Sequence, residues 1–111
     1  GGVGEVHVQV PRIADKAGAS VGRDKFKVPR GRWVTIEQEI ELNAPPKSDG
    51  KLRLWVDGEL RIEKDKMHWR DDAATTIEGV VGHVGFGTVD RPGSAPKDAT
   101  VRITPFELRW K

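Results

Sequence analysis

Residues 30–58 read Arg30-Gly-Arg-Trp-Val-Thr-Ile-Glu-Gln-Glu-Ile-Glu-Leu-Asn43, then Ala-Pro-Pro-Lys-Ser-Asp-Gly50, then Lys51-Leu-Arg-Leu-Trp-Val-Asp-Gly58. In the first part Val34, Ile36, Ile40 and Leu42 share one face, with Gln38 the only polar residue among them. Trp33, Thr35, Glu37, Glu39 and Glu41 share the other face. In the last part Leu52, Leu54 and Val56 alternate with Lys51, Arg53, Trp55 and Asp57. A period of two over such lengths predicts two strands, each with one face on a core and one in water. The segment between them is made of helix- and strand-breaking residues, and Asp57-Gly58 is a tight-turn pair that leads into a third strand. One strand is acidic on its polar face and its neighbour basic, so cross-strand ion pairs are expected.

Working outward, residues 5–10 alternate cleanly, with Val6, Val8 and Val10 inward and Glu5, His7 and Gln9 outward, closed by Pro11. Residues 12–31 are rich in Gly, Lys, Arg and Asp and read as a long excursion with a short extended piece around Phe26 and Val28. Residues 59–63 continue as a strand with Leu60 and Ile62 inward; Met67 and Trp69 follow, then the polar Arg70-Asp71-Asp72. Residues 77–88 form a strand punctuated by glycine. A last strand carries Val101 and Ile103, shifts phase at Thr104-Pro105, and ends on Phe106, Leu108 and Trp110, with Trp110 in the core. No segment has a helical period. The expectation is an all-β chain, an antiparallel β-sandwich of the jelly-roll kind.

At 111 residues the chain is expected to be one domain over 1–111, and 36% hydrophobic against 32% charged residues limits the core to a modest size. The 19 basic and 17 acidic side chains are interleaved, which disfavours a nucleic-acid surface. The chain contains no apolar stretch long enough to cross a membrane, no signal peptide, and no cysteine for a disulfide or thiolate site. His68 and His83 have no second ligand at zinc spacing. Asp71, Asp72, Asp90 and Asp98 are the carboxylates that a structural calcium between loops would use, without EF-hand spacing. Ser20, Ser48 and Ser94 lie in loops lacking a nucleophile elbow, so no serine hydrolase is read here.

Two tryptophans stand out of phase with the core. Trp33 is expected to pack beneath a loop. Trp55 is a candidate platform for the apolar face of a sugar, and Arg53 beside it suits a carboxylated sugar, with Lys51 on the same face.

The order of motifs carries a resemblance. Gly4-Glu5-Val6-His7-Val8-Gln9-Val10-Pro11, Arg30-Gly31-Arg32-Trp33, Ile36-Glu37-Gln38, Asp49-Gly50-Lys51-Leu52, Trp55-Val56-Asp57-Gly58, Ile77-Glu78-Gly79, Gly85-Phe86-Gly87 and Ala95-Pro96-Lys97-Asp98 occur in that sequence. The set resembles the second half of the alginate and glucuronan lyase jelly rolls, which are concanavalin-like. The resemblance implies a chain that is the C-terminal portion of such a domain, in an extracellular or secreted setting. It also implies that the domain binds or cleaves an acidic (uronate) polysaccharide by β-elimination, with no cofactor required. In lyases of this kind the opening strand looks like Gly-Glu-Val-Tyr-x-Tyr-x-Pro, and its tyrosines act as acid and base. The matching positions here are His7 and Gln9, and the chain contains no tyrosine. His7 is then the candidate base and Gln9 the candidate donor to the uronate carboxylate. Two other readings stand beside the lyase: a noncatalytic carbohydrate-binding or structural sandwich that has lost the tyrosines, and a laminin-G-like protein-interaction module. As a partial jelly roll the chain is expected to self-associate or to pair with a missing N-terminal half.

Overall fold

The computed structural model describes residues 2–10, 19–84, 93, 98 and 100–110. The chain divides into two compact units, Gly1–Ile77 and Glu78–Lys111. The first holds β1 (Gly2–Val8), β2 (Ala19–Val28), β3 (Ile36–Glu41), β4 (Gly50–Val56) and β5 (Glu59–Met67). β1 pairs with β2 in one sheet, and β3, β4 and β5 form a second in that order, with every pairing antiparallel. The predicted hairpin is the β3–β4 pair, in register from Ile36↔Val56 to Glu41↔Lys51. Asp57 (φ 50°) and Gly58 (φ 80°) both take the left-handed conformation of the two-residue turn that joins β4 to β5.

Along β4 the buried residues are Leu52, Leu54 and Val56, while Lys51, Arg53 and Trp55 between them are half-buried. The buried set packs with Val8 of β1, Phe26 of β2, and Ile62 and Met67 of β5. The two sheets therefore meet face to face, and the all-β sandwich read from the sequence is the observed one.

Several elements differ from the sequence reading. β2 is a ten-residue strand, longer than the short piece expected around Phe26 and Val28. Its pattern is broken because residues 22–25 loop out opposite Glu5, between the pairs Val6↔Val21 and Gly4↔Phe26. Leu60 was expected inward but is 47% exposed. A register shift between Leu54 and Trp55 sets Leu60 opposite Trp55 and turns it to the outer face. Ile36 is 53% exposed because β3 is an edge strand and the two-stranded sheet covers mainly β4 and β5. Only Ile40 of β3 packs against the core.

In the second unit the expected strands over 77–88 and 101–110 are absent among the described residues. Phe106, Leu108 and Trp110 are more than half exposed, which corrects the placing of Trp110 in the core. The physical reason is pairing: a strand needs a ladder partner, and none of the described residues of this unit supplies one. Residues 85–88 and Asp90 lie outside the described residues.

Gly22 has φ +69°, and a Cβ there would overlap the Ile62 side chain across the sheets, whereas Gly31 has φ +75° with open space around it. Gly22→Ala should therefore destabilise the protein by roughly 2–4 kcal/mol, adding overpacking to backbone strain. Gly31→Ala should cost about 1 kcal/mol from strain alone. Urea unfolding midpoints compare the two, and equal shifts would show that the Ile62 contact plays no part.

Candidate functional site

The outer face of the β1–β2 sheet carries Glu5, His7, Ser20 and Arg23, all exposed. His7 stands opposite Ser20 in the ladder. The Ser20 hydroxyl donates to Glu5 Oε2, and Arg23 Nε donates to the same oxygen at 3.0 Å. The Ser20 hydrogen bond first, then Arg23 and the nearby charge of His7, hold the Glu5 carboxyl below its ordinary range. Gln9 is exposed just beyond the end of β1. Alternation alone produces this arrangement, since Val6 and Val8 take the core and their neighbours are turned to water.

The outer face of the other sheet carries Lys51, Arg53 and Trp55. Arg53 lies between two carboxylates, with Nη1 at 2.6 Å from Glu39 Oε1 and Nε at 2.9 Å from Glu63 Oε2. Hydrogen bonds to Glu63 and then Glu39 push its pKa up. These are the cross-strand ion pairs that the charge pattern predicts, as the register Glu39↔Arg53↔Glu63 requires. Lys51 sits opposite Glu41 and Trp55 opposite Glu37 and Leu60. Trp55 is half-buried, whereas Trp33, expected beneath a loop, is 63% exposed.

Both sets point away from the shared core. The structure thus places His7 with Gln9, and Lys51 with Arg53 and Trp55, on the outer faces of different sheets rather than around one cleft.

A third cluster was not foreseen. Asn43 is fully buried where the chain leaves β3. Its Oδ1 accepts from the backbone N–H groups of Trp69 (2.8 Å) and Arg70 (3.0 Å). Its Nδ2 donates to the carbonyls of Lys47 (2.8 Å) and Arg70 (3.0 Å). Arg70 Nε returns a bond to the Asn43 carbonyl at 2.8 Å. Beside it His68, read as a lone histidine, has Nδ1 at 3.0 Å from Ser48 Oγ and Nε2 at 2.7 Å from Asp71 Oδ1. The types are those of a hydrolytic triad, but the His68 side chain is only 9% exposed and both ring nitrogens are engaged. The arrangement acts as a clasp between the β3–β4 loop and the segment after β5. The sequence signal was faint: an asparagine opening a breaker loop, with all its partners but Lys47 more than twenty residues away.

Asp71 is thereby turned to His68, and Asp72 Oδ1 accepts from the Ala74 N–H at 2.8 Å. Among the described residues no three acidic, histidine or cysteine side chains converge as metal ligands.

Residues 5–106 match the family described as polysaccharide lyase 14. No curated protein and no solved structure matches the chain.

Asn43→Ala would leave four backbone groups without their partners and should destabilise the protein by roughly 3 kcal/mol or more, read from denaturant unfolding. Glu5→Gln tests the other cluster. A carboxyl whose pKa is lowered on folding adds stability above its unfolded pKa and loses it as pH falls through the folded value. The stability gap between wild type and Glu5→Gln should therefore be greatest near neutrality and close below about pH 4. A gap of the same size at neutral and acid pH would show that the charge of Glu5 contributes nothing.

Proposed function

The chain belongs to the polysaccharide lyase 14 family, and from that premise we propose that it binds an acidic, uronate-bearing polysaccharide and cleaves it by β-elimination. The observation that carries this reading is the exposed His7 imidazole on β1, within the family match and beside Glu5, Ser20 and Arg23.

The reaction removes the proton from the sugar carbon next to the carboxylate. The C–H electrons form a carbon–carbon double bond, and the neighbouring C–O bond breaks to release the glycosidic oxygen. A base must take the proton, a cation or hydrogen-bond donor must offset the carboxylate charge as the carbanion develops, and an acid must protonate the leaving oxygen. His7 is the base, and its imidazolium then carries the proton that the departing oxygen needs. The Gln9 amide donates to the uronate carboxylate, and Arg23 is the cation on the same face. Lys51, Arg53 and Trp55 form a separate glycan contact on the opposite face, where the Trp55 ring offers an apolar platform.

A second reading, a noncatalytic glycan-binding or structural sandwich, is favoured by the absence of tyrosine and by Arg53 being held between Glu39 and Glu63. An elimination assay separates the two. Alginate, glucuronan and a pectic acid are incubated with wild type and His7→Ala, and the ultraviolet absorbance of the unsaturated product is followed. Product from wild type, with kcat lowered about 100-fold or more in His7→Ala, supports the lyase. Binding without product selects the second reading. Neither binding nor product on any polyuronate sinks both glycan readings.

A further inference from the structure

We propose that the open seam between β2 and β5, centred on Lys25, is a cationic groove that receives an anionic polysaccharide chain. This rests on the acidic-glycan reading above and assigns it a surface that contains neither His7 nor Trp55, although Ser20 of the His7 face borders its second cavity. Two cavities of about 450 Å³ and about 430 Å³ lie along the seam, and Lys25 lines both. Both are half-open to solvent, as a groove that receives a chain must be.

The looped-out residues 22–25 explain why a lysine stands there. Gly22 (φ 69°) and Asp24 (φ 64°) both adopt left-handed backbone. The resulting bulge re-aims Lys25, so that it borders the seam in both directions. The floor is closed by core residues, Phe26 and Val56 in one cavity and Ile62 beside Val21 in the other, so the accessible walls of the first are mainly polar and charged.

The charge balance points to the ligand class. At the first cavity Arg32 is bound to Asp57 at 2.9 Å and Arg61 is paired with Glu59. At the second, Glu63 is taken by Arg53. Lys25, Lys27 and Lys64 have no ion-pair partner among the described residues, and Asp24 is the one unpaired carboxylate lining these cavities. Such exposed ammonium groups each bind a single carboxylate weakly. A chain bearing a carboxylate on each sugar would engage several at once, and the linkage makes the later contacts intramolecular. A polyanion therefore gains far more from this groove than a monomeric acid, and added salt should weaken its binding.

The test is calorimetric titration of wild type, Lys25→Glu/Lys27→Glu, and the charge-matched control Lys47→Glu/Lys66→Glu. The probes are a polyuronate hexamer, dextran sulfate and a neutral glucan hexamer. All four substituted side chains are exposed, and equal unfolding midpoints confirm that each variant is folded. The expected result is salt-sensitive polyuronate binding by wild type and the control, weakened more than tenfold in Lys25→Glu/Lys27→Glu, with the neutral glucan bound poorly by all. Equal polyuronate affinity in all three proteins would overturn the groove and leave the function reading standing. Dextran sulfate bound through the two lysines, with no affinity for polyuronate, would uphold an anionic-glycan groove and sink the uronate reading. Binding of the neutral glucan as tight as that of the polyuronate, or no binding of any polyanion, would overturn the proposal.

Discussion

The structure depends on one face of β4. Leu52, Leu54 and Val56 are buried on that face, and every other strand of the first unit packs against or pairs with it or its neighbours. Burying such a side chain contributes about 1.5–3 kcal/mol, whereas an exposed ion pair contributes much less. The apolar face therefore sets the register, and the charges follow it. A slip of one residue between β3 and β4 would carry the leucines into water and separate Arg53 from Glu39 at the same stroke. The ion pairs report the register rather than impose it.

What the core leaves open, polar groups and bulges define. The Asn43 clasp ties the entry to β4 to the exit from β5, so the two ends of the central hairpin cannot splay. Its worth lies in backbone groups that would otherwise be buried without partners. The bulges act in the other direction, by re-aiming single side chains. One turns Leu60 out beside Trp55, and the other brings Lys25 to the seam.

Local period was legible, and everything that depends on meeting a distant segment was not. The β3–β4 hairpin, the Asp57-Gly58 turn, the alternation of β1 and the Arg53 pairs all follow from residues near one another in the chain or on adjacent strands. β2 was mostly missed because Gly22 and Asp24 interrupt its pattern just where it bulges. The exposure of Ile36 depends on how many strands the facing sheet has, and a strand's own residues do not record that. His68 read as solitary because Ser48, one of its partners, lies twenty residues away. At the candidate site, alternation identified which side chains leave the core but not which outer face they reach. His7 and Trp55 are both outward, on different sheets.

That separation bears on the chemistry of the proposed elimination. The uronate carboxylate must be neutralised at the place where the base works, so the cation has to share a face with His7. Arg53 is on the other sheet and is already shared between the carboxylates of Glu39 and Glu63. Arg23 is on the right face, is bound to the single carboxylate of Glu5, and is exposed enough to exchange that carboxylate for another. Charge balance supports the same assignment. When a uronate takes Arg23, Glu5 keeps the Ser20 hydroxyl, the largest of the contacts that hold its pKa low, and remains an anion near the imidazolium that forms on proton transfer. On this reading the reacting unit is Glu5, His7, Gln9 and Arg23 on one two-stranded face, and the residues around Trp55 bind glycan without taking part in bond breaking.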